Sequence, residues 1–317
     1  MKGYAELRTN AAWLDVSSRG KIKLTGEDRA RLLHAMTTNH IQQLTPGTGC
    51  YAYFLSAQGR ILSDVNVLCR EDHFLLDTEP EIVAKLYQHL DRFIIADDVS
   101  LEDLTDGLAA LAIEGPRAEE ILRKVGAPVP ANDYASAGWG SRLVARLNVS
   151  GGAGFFVYAP VEEKHELARA VESAGAVAGD PEAFRVVRLE HGRPRYGEDL
   201  SERYLAQEAN QAHALHFQKG CYLGQEIVER VRSRGQVHRV LMPLHIDTDR
   251  PPEPGAKLQI GDANAAEITS AAYSPALGKV VALAYVRTEY AKPETKMALS
   301  GTVTAQVAAP IAPVTIC

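Results

Sequence analysis

After Gly235 the chain loses helical periodicity, and this restricts the possible fold more than any other feature of the sequence. Apolar runs at Val240 to Ile246, Lys257 to Ile260, Ala265 to Ala272, Val280 to Val286 and Lys296 to Val307 are parted by Pro251-Pro252-Glu253-Pro254-Gly255, Gly261-Asp262 and Ser274-Pro275. Five or six short strands at that spacing must satisfy their edges by closing on themselves or packing face to face, which predicts a small β-barrel or sandwich. The boundary with the preceding part falls near Arg234 to His238.

Upstream, strands and helices alternate, as in an α+β protein. Gly20 to Thr25 reads as a strand, and Arg29 to His40 as a helix with Leu32, Leu33 and Met36 on one face. Cys50 to Leu55 and Ile61 to Leu68 form a hairpin around Ser56-Ala57-Gln58-Gly59. Period-two alternation in its second strand puts Val65 and Val67 on one face and Asp64, Asn66 and Leu68 on the other. Further helices are expected after Glu79-Pro80-Glu81, after Gly115-Pro116, at Val161 to Gly175 and at Asp180 to His191, with Arg188 and Glu190 in the last turns. The glycines of Ser150 to Gly154 lack the Gly-Lys-Ser/Thr ending of a phosphate loop and predict a tight hairpin.

Chemistry concentrates in Lys219-Gly220-Cys221-Tyr222-Leu223-Gly224-Gln225-Glu226. Two glycines bracket a cysteine in a charged setting, and Ile227, Val228 and Val231 recur at helical spacing behind it. A thiol on a loop entering a helix, beside a lysine, is suited to act as a nucleophile or redox partner; a buried, inert cysteine is the alternative. Beyond it, Arg230, Arg232, Arg234, His238 and Arg239 form a basic set. That set is a solvated helix face, a clamp for anionic groups, or a grip on RNA phosphates.

The motif, the following basic helix and its Arg-Gly resemble the signature of the YgfZ-type folate-binding proteins, relatives of the glycine-cleavage T-protein. Similarity continues through Gly59-Arg60-Ile61-Leu62-Ser63-Asp64 and Arg188-Leu189-Glu190-His191-Gly192. The resemblance implies a T-protein-like core of two interleaved, pseudo-symmetric α/β subdomains over 1–235, one at roughly 46–110, and a C-terminal β-barrel over 236–317. It implies tetrahydrofolate, one-carbon-substituted or polyglutamylated, in a central cavity. Asp64 and Cys221 would be the catalytic positions, with Cys221 at the cavity mouth. Asp64, Asn66, Arg188, Glu190, Lys219, Tyr222, Gln225, Glu226 and Arg230 would hold the folate, and the arginines beyond Cys221 would suit its anionic tail. It also implies iron-sulfur client enzymes or assembly proteins as partners, some of them acting on tRNA. Where T-proteins carry Gly-Glu-Asp-Gly-x-Glu, this chain has Gly151-Gly152-Ala153-Gly154-Phe155-Phe156. Phe156 thus replaces a substrate-side acid.

Composition excludes several other classes. A net charge of −6 and a pI near 6.0 give no global basic field for nucleic acid. Met1 to Trp13 lacks the apolar segment of a secretory signal, and no run approaches the roughly 20 apolar residues of a membrane span, so a cytoplasmic protein is expected. Cys50, Cys69, Cys221 and Cys317 are scattered without CxxC or cysteine-histidine spacing, which argues against disulfides or structural zinc. Three readings stay open: a folate-dependent accessory protein for iron-sulfur cluster assembly or repair, a tetrahydrofolate-dependent aminomethyltransferase, and a nonenzymatic protein or RNA interaction module.

Overall fold

Ile22 and Leu24 place the strand Gly20–Thr25 inside an antiparallel five-stranded sheet in the computed structural model, which describes residues 1–235, 237–300 and 303–308. The strand order is Gly49–Leu55, Ile61–Cys69, Phe74–Thr78, Gly20–Thr25, Ser100–Asp103. The helices Arg29–Met36 and Val83–Phe93 cover its outer face, burying Leu32, Leu33, Met36, Leu86 and Leu90 against Val65, Val67 and Leu76. The alternation read in Ile61–Cys69 is therefore real: its valines face this core.

A second sheet has six strands in the order Val177–Ala178, Ala12–Asp15, Leu108–Glu114, Gly154–Pro160, Arg142–Ala145, Ser136–Trp139. The helices Ala118–Lys124 and Lys164–Ser173 shield its outer face through Ile121, Leu122, Leu167 and Val171. Ala12–Asp15 and Leu108–Glu114 are hydrogen-bonded neighbours, yet the whole five-stranded sheet lies between them in the chain. The inner faces of the two sheets meet through Leu68 and Leu75 on one side and Ala110, Ala112, Phe156 and Tyr158 on the other.

The expected tight turn at Ser150 to Gly154 is replaced by a longer connection, because the pairing of Arg142–Ala145 with Gly154–Pro160 ends at Ala145. The loop instead wraps the buried Glu114 carboxylate, which accepts from the amides of Val149 and Ser150 and from the Ser150 hydroxyl. Beyond the helix Gln225–Arg234, six strands close into a barrel in the order Arg239–Ile246, Lys279–Arg287, Ala263–Ser274, Lys257–Ile260, Lys296–Ser300, Val303–Val307. The run at Lys296 to Val307 divides into two of these strands, and Cys317 lies outside the described residues. Among the described residues, no helix is long and apolar enough to cross a membrane.

Buried carboxylates lock the barrel to the core. Asp199 accepts from Arg188 at 2.6 Å and from the Thr269 and Ser270 hydroxyls of the barrel strand Ala263–Ser274. Glu190 accepts from Tyr4, from Arg8 and, at 2.6 Å, from Ser274.

Candidate functional site

A cleft of about 570 Å³, counted out to its open mouth, is lined from the five-stranded sheet by Tyr51, Asp64 and Asn66. Asn148 and Val149 from the Glu114 loop, Arg188, the segment Arg193-Pro194-Arg195, Gln211 and His213 complete much of the wall. Because the valines of Ile61–Cys69 point into the helix-covered core, Asp64 and Asn66 must point the other way. Tyr51 is the register partner of Asn66 across the hairpin, so it shares that face.

The Tyr51 hydroxyl donates to Asp64 Oδ2 at 2.8 Å, while Asp64 Oδ1 is buried without a partner among the described residues. Asn66 donates through Nδ2 to Asp77 at 3.1 Å, and its Oδ1 is likewise unpartnered. Burial, with the nearby Glu79 carboxylate, pushes the Asp64 carboxyl up to about 6. His213 stacks on Tyr51 with ring centroids 5.2 Å apart.

Four arginines line the cleft. Arg19 pairs with Asp77 and Glu79, Arg188 with Asp199 and Glu198, and Arg195 with Glu79 and Glu81. Although burial opposes it, Arg19 and Arg195 hold the Glu79 carboxyl below its usual range. Arg193 donates to Asn148 Oδ1 at 2.8 Å. Phe156 is fully buried between the sheets, and the Arg19 guanidinium carbon stands 5.7 Å from its ring centroid.

The cysteine motif forms a separate feature. Cys221 is exposed, outside the cleft lining, in the loop before the helix Gln225–Arg234. It is not among the residues that line the cleft, and its loop is fastened to the C-terminal end of the helix Arg29–Met36. Lys219, 5% exposed, donates from Nζ to the carbonyls of His34 and Thr37. The Leu223 amide bonds Ala35 O at 3.0 Å. A cation there satisfies carbonyls that a helix end leaves open. Burial pushes the Lys219 ammonium down to about 7. Gly224 has φ of +86°, and a Cβ there would stand 2.6 Å from Ser56 O; one on Gly59 would stand 2.8 Å from Ile227 Cγ2. The two motifs singled out in the sequence thus pack on one another.

Of the residues named from sequence, Asp64, Asn66 and Arg188 come together in the cleft. Glu190 does not: two residues on, about 200° around the helix, it faces Tyr4, Arg8 and Ser274. Lys219, Tyr222 and Gln225 hold the cysteine loop, Tyr222 being buried with its amide bonded to Gln225 Oε1 at 3.3 Å. Glu226 and Arg230 are exposed on the following helix. Nor are Arg230, Arg232 and Arg239 among the residues that line the cleft: Arg232 lies 4.6 Å over the Phe217 ring, and Arg239 pairs with Glu208 and stacks on Tyr204. Sequence reasoning missed Arg19, Tyr51, Glu79, Asn148, Arg193, Arg195, Gln211 and His213. Extending the alternation across the hairpin finds Tyr51, and Gly192-Arg193-Pro194-Arg195 directly follows a segment already singled out.

Residues 2–219 match a family model described as the GCVT N-terminal domain, and residues 239–312 one described as the glycine cleavage T-protein C-terminal barrel domain. An aminomethyltransferase of Rubrobacter xylanophilus is 31% identical over 297 residues, covering 90% of this chain and 78% of that protein. One from Streptomyces coelicolor is 29% identical over 309 residues, covering 92% and 82%. The crystal structure of glycine cleavage system aminomethyltransferase T from Bartonella henselae superposes with a TM-score of 0.89 at 21% identity, over 97% of this chain and 88% of that one, which shows the same fold.

Proposed function

The chain belongs to the glycine-cleavage T-protein family, and from that premise we propose that its cleft binds tetrahydrofolate, plain, one-carbon-substituted or polyglutamylated. The observation that carries this reading is the pair of unpartnered acceptors, Asp64 Oδ1 and Asn66 Oδ1, on one strand face inside the cleft. A buried acceptor without a donor costs about 1–3 kcal/mol, and the N–H groups of a reduced pterin would offset that cost. When bound, such a folate supplies nitrogen atoms that carry one-carbon units. Asp64 accepts from the ligand, Tyr51 fixes its second oxygen, and a carboxyl near 6 can hold or release a proton close to neutral pH.

Within the family we assign the chain to the YgfZ-type accessory proteins, with residues 1–235 as the folate-binding unit, 236–317 as the barrel, and the cytoplasm as its compartment. Its role is assembly or repair of iron-sulfur clusters in client enzymes, including some that modify tRNA. The exposed Cys221 on a loop clamped by Lys219 favours this, since it can meet a client or its cluster, the substrate in this reading, from solvent. RNA contact through the exposed Arg230 is a minor part of the reading. The relatives called aminomethyltransferase favour a second reading, transfer of a one-carbon unit to tetrahydrofolate. Against it, the apolar Phe156 is buried where T-proteins carry an acid.

Calorimetric titration with tetrahydrofolate tests the ligand. Wild type should bind, and Asp64→Ala should weaken binding about tenfold or more; no binding by the wild type sinks the folate reading. For the thiol, Cys221→Ala should fail to rescue a strain lacking the protein, and full rescue removes its role. Glycine-cleavage activity in the purified wild type, kept by Cys221→Ala, would favour the transferase.

A further inference from the structure

Three of the four cleft arginines are already neutralised by protein carboxylates. Arg193 differs: among the described residues its guanidinium bonds Asn148 Oδ1 at 2.8 Å and pairs with no carboxylate. Its backbone is held fast, the amide donating to Arg188 O at 3.0 Å and the carbonyl accepting from Arg188 Nη1 at 2.7 Å. The side chain is half-buried, so a guanidinium with spare donors faces the cleft from a fixed base. Asp64 Oδ1 and Asn66 Oδ1 offer acceptors without donors in the same cleft. Such a cleft offers acceptors for the N–H groups of a ligand and a donor for an anionic group, with the Arg193 charge close enough to act on Asp64. A planar guanidinium takes a carboxylate through two parallel hydrogen bonds.

We propose that Arg193 is the anion-binding residue of the cleft and holds a carboxylate of the glutamate tail of the bound folate, an assignment that rests on the folate reading above. Arg230, Arg232 and Arg239, among the arginines expected from sequence to hold the tail, lie outside the cleft lining. Arg193 supplies the free cation that those residues do not.

The experiment titrates wild type, Arg193→Gln and Arg193→Lys with tetrahydrofolate and with 6-methyltetrahydropterin, which keeps the pterin N–H groups and has no carboxylate. Arg193→Gln keeps a donor for Asn148 and should lower tetrahydrofolate affinity about tenfold to a hundredfold. Arg193→Lys should fall between the two, and 6-methyltetrahydropterin should bind wild type and both variants alike, which also reports that the cleft is intact. Equal losses for both ligands, or no loss for tetrahydrofolate, overturn the assignment while the folate reading stands. If wild type binds neither ligand, the folate reading fails and this assignment falls with it.

Discussion

Replacing Asp64 by asparagine should stabilise the ligand-free protein near neutral pH while damaging the site. Moving the carboxyl from its ordinary 3.8 to about 6 corresponds to about 3 kcal/mol of cost for the ionised form in the folded state. Asp64 keeps some solvent contact, so we discount this to about 1–2 kcal/mol. Asparagine preserves the volume and still accepts from Tyr51, so little is lost in exchange. The sign follows from proton binding. Between about pH 4 and 6 the folded state holds more of this proton than the unfolded chain does, so wild-type stability falls as pH rises through that window. Below it the carboxyl is neutral in both states, and the advantage of the variant disappears. Urea unfolding of wild type and Asp64→Asn at pH 7.5 and pH 3.5, without ligand, measures both terms. A variant less stable than wild type at pH 7.5, or a difference equal at the two pH values, would refute the reasoning.

Gly224→Ala should cost about 2 kcal/mol or more in thermal unfolding, because positive φ and a contact with Ser56 O act together; Gly220→Ala, with nothing near its Cβ, should cost only the backbone strain, about 1 kcal/mol. Lys219→Met strands the carbonyls of His34 and Thr37 and should destabilise by about 2–3 kcal/mol at pH 9, where the Lys219 amine is largely neutral and still donates; an unchanged urea midpoint refutes this. In a Cys317→Ser background, thiol titration at pH 8 should find one fast group, Cys221, since Cys69 is buried and burial pushes the Cys50 thiol up to about 12. Two fast groups would contradict the described burial.

The barrel and the Asp64–Asn66 face were legible because both rest on local periodicity: strands with turns after Gly235, and valines alternating with polar residues in Ile61–Cys69. The cleft as a whole was not. Its walls come from Arg19, Asn148, Arg193 and His213, which are far apart in the chain and carry no shared local pattern. Arg188 and Glu190 show a second limit. They stand together in one sequence segment, but helix geometry sends one to the cleft and the other to the junction with the barrel. The cysteine motif was legible as unusual, yet Lys219, Tyr222 and Gln225 within it serve to fasten the loop. Lys219 reads as a charge beside a thiol in the sequence and acts as a cap on another helix in the fold.

The insertion of one sheet between two paired strands of the other sets an order of assembly. Ala12–Asp15 is synthesised early, but its neighbour Leu108–Glu114 emerges only after the five-stranded sheet has been made. That inner sheet, closed by hairpins and nearby helices, can form first, whereas joining the outer strands must wait for a loop spanning the whole insertion. The cleft, whose walls join Asp64 and Asn66 of the inner sheet to Asn148 and Arg193 from later in the chain, is therefore among the last features to appear. A molecule that binds there favours the final docking step over the partly assembled chain, so its supply in the cell would govern how much of the newly made protein reaches the finished state.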